Sequence, residues 1–387
     1  MRTKGVTLCL LTLLAALVII PAISTATAHA ASLEDAIAAA PQGTEKGMVD
    51  PNAKPGFLGI PGAPSPNMVV GFFWAVWVGW IFSTVGAFGG IMAGVGHITV
   101  FGLADYGKAF KKTAPALNKL ITDSIRVSNQ YLVGLSAAVS SFNYYKMGRL
   151  VLPLGLALAI GSVLGSYLVP VITAGKISIK AYLGYFGLVV FIIGGFLFYE
   201  TTPKGQAGKK EAKAAAKAFE DAHIKKCSTL APEDCGVRVK DWSMSRVTFT
   251  FYGVEFSFKP IVPVIGGFFI AALASFLGIG GGFLFVPFLT SVAGLPMFLV
   301  AGTSALTVLV GMIISILTYM LVKGVPVFWP LIGIELVGIF VGSMIGPRTS
   351  KYIPDIWLKR IFIILALYVG LRYTTKGFLG YSIVPPF

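Results

Sequence analysis

The sequence has few charged residues, few cysteines and few histidines. Only 12% of its 387 residues are Asp, Glu, Lys or Arg, whereas a soluble domain carries about 25%. This shortage argues against a soluble globular enzyme. Three cysteines and three histidines are too few for a disulfide scaffold or a clustered metal site. We therefore expect no metal and no cofactor.

Apolar residues and glycine are abundant instead. The hydrophobic fraction is 56%, with 46 glycines, and the mean hydropathy is +0.81; these values exclude a disordered chain. The net charge of +15 lies in loops between apolar runs, as in membrane proteins, and not in one basic domain. These features predict an all-α polytopic membrane protein that contacts membrane lipid and binds no nucleic acid.

Residues 1–30 have the pattern of a targeting segment. Two basic residues precede an apolar stretch from Val6 to Ile20, and small residues suited to cleavage follow. The pattern predicts a secretory signal peptide, with an uncleaved anchor helix as the alternative. In either case residues 31–68 emerge outside the cytoplasm, and we expect a mobile extracytoplasmic segment there.

After residue 68 the apolar runs form two similar sets on either side of a polar stretch, 200–258. Each unbroken run approaches the ~20 residues that cross a bilayer. The first set, within 69–199, comprises 69–104, 127–145, 150–173 and 181–199; the second, within 259–377, comprises 261–293, 298–322, 327–347 and 357–374.

Short motifs recur in the same order in both sets, which indicates an internal duplication of the kind that builds many transporters. The first run of each set is broken by glycines, and a pair of glycines four residues apart marks each third run. Such pairs usually let helices pack closely. The matches are Gly86–Gly90 with Gly278–Gly282, Val127-Ser128 with Thr303-Ser304, and Gly161/Gly165 with Gly342/Gly346.

The polar stretch 200–258 is predicted to hold a helix and a short hairpin. Residues 211–226 have an Ala/Lys/Glu helix pattern, and 247–251 and 254–258 alternate around Tyr252-Gly253. The side of the membrane on which this stretch lies depends on the glycine breaks. If each broken run folds back, each half has five passes, the repeats are inverted and the stretch is cytoplasmic.

Without the fold-back, each half has four passes, the repeats are parallel and the stretch lies outside. We favour inverted repeats because many lysines follow the span that ends at Tyr199, although the basic loop 102–126 then faces outside. Cys227 and Cys235 are accordingly expected to be thiols inside, or to form a disulfide outside.

One segment resembles a known family. Residues 278–304 read GIGGGFLFVPFLTSVAGLPMFLVAGTS, which resembles the TauE/SafE family of sulfite exporters, also described with the toluene-sulfonate uptake permeases. The likeness extends through Lys323-Gly324 and the segment 348–360. The first half resembles a degenerate partner repeat that departs from the pattern, since Arg126-Val127-Ser128-Asn129 replaces Gly302-Thr303-Ser304-Ala305.

The resemblance implies a secondary transporter in the cell (inner) membrane that moves small sulfur oxyanions or sulfonates outward. A membrane enzyme is disfavoured by the scarcity of cysteine and histidine. The alternatives are an anion-binding receptor without transport and a permease for a different small anion. No Walker motif is present, which argues against ATP as the energy source. A homo-oligomer is left open.

The broken runs suggest how an anion could be held. Crossing the membrane strips an anion of water, and helix N-termini offer unpaired N–H groups with partial positive charge. New helices are expected after the glycine breaks and near the Gly-Thr-Ser motif. The candidate residues are Gly89, Gly90, Gly280, Gly281, Gly282, Gly302, Thr303 and Ser304. The alternative is that these glycines only permit a bend and close packing.

Polar residues within or beside the apolar runs complete the candidate site. Arg126, with Ser128 and Asn129, is placed at the mouth of a span, where it could hold the anion or simply extend its side chain to the interface. His97 is a candidate proton carrier or a core residue. Glu335 is placed in mid-span, where a carboxylate marks a pathway or proton relay, unless it is a protonated packing residue.

Overall fold

The computed structural model describes residues 33–85, 89–146, 148–204, 237–251, 254–291, 295, 297–349 and 355–385. The fold is mostly helical, at 71%. The predicted signal peptide at 1–30, the helix predicted at 211–226 and both cysteines of the polar stretch lie outside the described residues.

The helices follow the apolar runs. Two of them end in a π-helical turn, Gly96–Val100 after α3 and Thr318–Val322 after α10. The helices are α1 (33–38), α2 (Met68–Val85), α3 (Gly89–Val95), α4 (Leu103–Ala109), α5 (Pro115–Lys146), α6 (Leu152–Thr173), α7 (Ile179–Thr201), α8 (Ile261–Leu277), α9 (Gly282–Ser291), α10 (Met297–Leu317), α11 (Trp329–Thr349) and α12 (Asp355–Phe378).

Local sequence explains where several helices begin and end. The Asn67 side chain accepts hydrogen bonds from the backbone N–H of Val69 at 2.9 Å and so caps α2. Ser178 caps α7 in the same way, as such residues do at helix starts. The helix α8 ends at Gly278, whose left-handed conformation, with φ of +71°, is the usual glycine stop.

The surface of the bundle is that of a membrane protein. Four described helices are long and apolar enough to cross a membrane: α6, most of α7, Gly302–Val322 and Trp329–Gly346. Large apolar side chains on several helices point outward, and Ile160 and Ile364 are more than half exposed. Burying them requires hydrocarbon rather than water. The expectation of an all-α membrane protein is confirmed.

The helix α5 differs from the expected run 127–145. It begins at Pro115 and has 32 residues, about 48 Å at 1.5 Å per residue. A hydropathy reading misses its first three turns because they are polar, yet those polar groups are satisfied inside the protein. The amide of Asn118, for example, donates to the carbonyl oxygen of Gly107 at 2.6 Å.

Each glycine-broken run folds back on itself. On α3, Gly89 lies beside Phe82 and Gly96 beside Trp74, so α3 runs antiparallel to α2. On α9, the ring of Phe288 lies against Gly266 of α8, so this pair also forms a helical hairpin.

Two helix pairs run parallel, and both use the expected glycine pairs. A methyl group on Gly342 of α11 would lie 2.0 Å from the carbonyl oxygen of Val76 on α2. One on Gly161 of α6 would lie 1.9 Å from the carbonyl oxygen of Val264 on α8. The next glycine of each pair, four residues later, meets the next turn of the same partner. The glycines therefore serve close helix packing.

Two further helix pairs run antiparallel. On α7, Gly187 lies against Tyr373 of α12 while Gly194 lies against Leu367, so the partner's numbering falls as that of α7 rises. The same holds for α5 and α10, because Gly302 packs on Tyr144 and the Tyr131 hydroxyl donates to the Met320 sulfur at 2.8 Å. The largest helix contacts are thus α2 with α11, α6 with α8, α7 with α12, and α5 with α10.

The polar stretch contains a three-stranded antiparallel sheet of β1 (Val237–Trp242), β2 (Val247–Phe251) and β3 (Val254–Phe258). The strands β2 and β3 pair at the residues expected for the hairpin. The first strand was not expected, because its alternation of apolar and polar residues extends only from Val237 to Lys240. The ring of Phe249 is fully buried and stacks on Phe256 at 5.4 Å.

The segment 33–67 is folded onto the bundle, so the expectation of a mobile segment is wrong. Phe57 and Ile60 are fully buried, and the Phe57 ring meets Phe328 edge-on at 5.6 Å. The Thr113 hydroxyl donates to the Gly47 carbonyl oxygen at 2.6 Å. The segment therefore covers the face that also carries the α4–α5 loop and the loop before α11.

Candidate functional site

The second glycine break has a backbone that only glycine adopts without strain. Gly278, Gly280 and Gly281 have φ values of +71°, +81° and +64°, in the region that side chains disfavour. Gly282 is the first residue of α9, as Gly89 is of α3. The expected new helices therefore begin at both breaks.

The two breaks meet inside the protein. A methyl group on Gly90 would lie 1.9 Å from the carbonyl oxygen of Ile279, so the two backbones touch. The helix α5 lies against the second break and against α3. A methyl group on Gly278 would lie 2.8 Å from the Arg126 carbonyl oxygen, and one on Gly94 would lie 3.5 Å from the Asn129 amide nitrogen. In this conformation the contact leaves no space for an anion between the breaks.

Both expected proton carriers occur in one buried cluster. The π-helical turn after α3 carries His97, whose Nε2 lies 3.2 Å from a carboxylate oxygen of Glu335. Its Nδ1 lies 2.6 Å from the Asn129 side-chain oxygen. All three side chains are completely buried. The cluster thus joins α3, α5 and α11.

Glu335 has unused hydrogen-bonding capacity. Apart from the contact with His97, its two oxygens have no hydrogen-bond partner within the described part of the chain. Glu335 lies in the second turn of α11. A buried carboxylate beside a single imidazole is costly as a structural element, and such sites are often functional.

Arg126 does not lie at an interface. Because α5 starts at Pro115, its side chain is inside the protein and fully buried. One guanidinium nitrogen donates to Asp123 at 2.8 Å, and another donates to the Thr173 hydroxyl at 3.1 Å. The group lies 4.9 Å from the ring centroid of Tyr319, a residue of the second π-helical turn. A desolvated cation in such a setting binds anions strongly.

Several buried polar atoms around Arg126 are unpaired. The Gln130 amide and Arg126 both approach the Ser275 carbonyl oxygen, at 3.3 and 3.5 Å. Within the described residues, no partner is found for Nε of Arg126, Oε1 of Gln130 or Oγ of Ser275. Buried polar groups are normally satisfied, so this group can accommodate a polar ligand.

The Gly-Thr-Ser motif lies elsewhere. The Thr303 hydroxyl accepts a hydrogen bond from the backbone N–H of Val151, the residue before α6, at 3.1 Å. Gly302 packs on Tyr144, and Ser304 is buried. Ser128 is fully buried too, and its hydroxyl has no hydrogen-bond partner in the described chain. The structure thus groups Asn129 with His97 and Glu335, and separates all three from Thr303.

The sequence analysis missed two polar residues of the Arg126 cluster, Asp123 and Ser275. A signal for Asp123 existed, because it precedes Arg126 by one helical turn, but the segment was assigned to a loop. No group of three or more His, Cys, Asp or Glu that could hold a metal ion occurs in the residues that the structure describes.

Apolar spans around buried charged and polar clusters define an integral membrane protein. Comparison with family models assigns it more narrowly. The model of the sulfite exporter TauE/SafE family matches residues 70–373, and the chain therefore belongs to this family of integral membrane transporters. Comparisons with curated proteins and with solved structures gave no match.

Proposed function

We propose that the protein is a secondary transporter that exports small sulfur-containing anions, such as sulfite or organosulfonates, across the cell membrane. Family membership supports a transporter. The observation that carries the proposal further is the contact of the two glycine breaks at Gly90 and Ile279. Two helix starts, at Gly89 and Gly282, there lie beside buried polar residues of α5.

The anion passes where the breaks meet. Partial positive charge at the start of α3 and α9 offsets part of the water that the anion loses. Because Gly90 and Ile279 touch, the breaks must separate for passage, and their closure prevents a continuous leak. Glycine is suited to this place because it allows the backbones to approach and the φ values to change.

We assign proton coupling to the pair of His97 and Glu335. The pair holds one proton as a neutral imidazole and a carboxylic acid, or as an imidazolium beside a carboxylate, and a second proton converts the carboxylate to the acid. Loading and unloading that proton changes the charge of a buried site, which is how proton relays operate in membranes. Asn129 contacts both His97 and Gly94, so a change at the pair reaches α3, the helix that begins at the first break.

We further propose that the two halves are inverted repeats. In the helix order of the two sets, α5 corresponds to α10 and α7 to α12, and both pairs run antiparallel. Equivalent helices run antiparallel only when the halves are inverted. The exchange of partners, α2 with α11 and α8 with α6, fits the same symmetry, and each broken run folds back as the five-pass arrangement requires.

Flux into or out of proteoliposomes tests the function. Liposomes that contain the purified protein and are loaded with labelled sulfite should release the sulfite faster than protein-free liposomes. An outward proton gradient should change the rate of this release. Sulfoacetate, taurine, thiosulfate and sulfate, tested as competitors, define the substrate class. Binding of sulfite without any flux would contradict the transport function and support an anion receptor instead.

A further inference from the structure

A cleft opens on the face that the segment 33–67 covers. Its volume is about 380 Å³, and its lining includes Lys119, Asp123, Gly175 and Lys323. Neither lysine forms an ion pair with a carboxylate among the described residues. Together with Arg126 behind Asp123, the region holds three cations and one carboxylate, so its field attracts anions.

Asp123 separates this cleft from Arg126. Its Oδ1 accepts from the guanidinium at 2.8 Å, and its Oδ2 accepts from the Gly175 backbone N–H at 2.6 Å. The carboxylate therefore contacts Arg126 with one oxygen only. The guanidinium edge at Nε and the Ser275 hydroxyl are both buried and have no partner within the described residues. The Ser275 backbone carbonyl oxygen lies 3.5 Å from another guanidinium nitrogen.

We propose that Arg126 is an anion site at the inner end of this cleft, that Asp123 occupies its guanidinium in place of the substrate, and that the sulfur anion displaces Asp123 there. A sulfite ion has three oxygens and can take two guanidinium N–H groups together, which the single-oxygen contact of Asp123 does not. The Ser275 hydroxyl supplies a further donor.

Competition between Asp123 and the anion for Arg126 favours release of the anion over its retention at the site. An internal carboxylate that competes for Arg126 weakens the anion's apparent affinity, so the anion leaves into the cleft instead of remaining bound. Lys119 and Lys323 receive it at the surface. The proposal rests on the proposed function for the identity of the anion, but its test is a binding measurement that needs no flux.

Thermal unfolding of the full-length protein in detergent tests the site, with sodium sulfite titrated against sodium gluconate at equal ionic strength. Asp123→Asn should be less stable than wild type in gluconate, because it leaves Arg126 without its carboxylate. Sulfite should restore the loss, with a half-saturating concentration at least about tenfold below that of wild type. The double variant Asp123→Asn/Arg126→Gln should show no such response.

Asp105→Asn is the matched control, because it breaks an ion pair with Lys376, 2.6 Å long, outside the cleft; it should respond to sulfite as wild type does. An Asp123→Asn response no larger than that of Asp105→Asn would overturn the proposal, as would a response that persists in the double variant.

If Asp123→Asn does not fold, Lys119→Gln/Lys323→Gln serves instead. It should raise the half-saturating sulfite concentration by more than about threefold, because it removes two charges from the mouth of the cleft. An unchanged concentration would contradict the site. If the variants show this binding pattern but wild type shows no sulfite flux, the proposed transport function is refuted and the proposed anion site still stands.

Discussion

At the scale of single residues, the buried pair of His97 and Glu335 connects the π-helical turn after α3 with α11. Each residue is an ionisable group in an apolar run of the sequence. Their contact at 3.2 Å was not predictable, because it depends on how α3 and α11 pack around α5. The expected position of Arg126 at an interface was wrong for a related reason. The first turns of α5 are polar, so hydropathy does not show that they are helical, and tertiary contacts satisfy their polar groups.

The pairing leads to a prediction for Glu335→Gln. Glutamine keeps the shape and can still bond to His97, but it cannot release a proton. We therefore expect sulfite binding to persist and exchange of sulfite for sulfite to continue, while flux driven by a proton gradient falls at least about tenfold, equivalent to about 1.4 kcal/mol in the barrier. Measurement of sulfite exchange and of gradient-driven sulfite flux in the same proteoliposomes tests this prediction.

As a control for that prediction, Glu255→Gln removes a carboxylate that is exposed and paired with Lys240 at 2.7 Å on the sheet. It should leave both flux modes unchanged. Full gradient-driven flux in Glu335→Gln would reduce Glu335 to a packing residue, whereas loss of sulfite binding would place it in the substrate site.

At the scale of helices, the glycine pairs could be recognised from spacing alone, and their partners could not. Gly342 packs against the backbone of α2, while Gly333 on the same helix α11 has open space around it. Gly342→Ala should therefore lower the thermal midpoint, with a cost of about 1–3 kcal/mol for overpacking. Gly333→Ala should be neutral or slightly stabilising, because alanine favours helix.

Thermal unfolding of the two variants in one detergent checks this prediction. Equal midpoints for Gly342→Ala and Gly333→Ala would show that α2 and α11 do not pack this closely. The comparison is internal to one helix, so differences in membrane insertion affect both variants alike.

At the scale of the whole molecule, the inverted repeats that we propose would put the sheet and the segment 33–67 on opposite sides of the membrane. In a variant with Cys9, Cys227 and Cys235 replaced by serine, a cysteine substituted for exposed Asn52 should react with a membrane-impermeant thiol reagent in intact cells. One substituted for Met244, which is 97% exposed, should react only after the cells are opened.

Labelling of both positions in intact cells would instead support parallel repeats of four passes each. Reaction at Met244 alone would reverse the orientation of the whole protein and place the Lys119 and Lys323 cleft in the cytoplasm. The order of the apolar runs was readable from the sequence, whereas the fold-back that decides the side was one of two alternatives there. It depends on tertiary contacts such as that of Gly89 with Phe82.

The central claim is that the anion passes where the two glycine breaks meet, and the Gly90→Ala variant tests it most directly. Its methyl group would collide with the Ile279 carbonyl oxygen, whereas the methyl of Gly195→Ala meets no atom within 4 Å. The measurement is the initial rate of labelled sulfite efflux from proteoliposomes made with equal amounts of folded protein. We predict that Gly90→Ala loses at least about tenfold in rate while Gly195→Ala keeps the wild-type rate. A folded Gly90→Ala protein with wild-type efflux would contradict the claim.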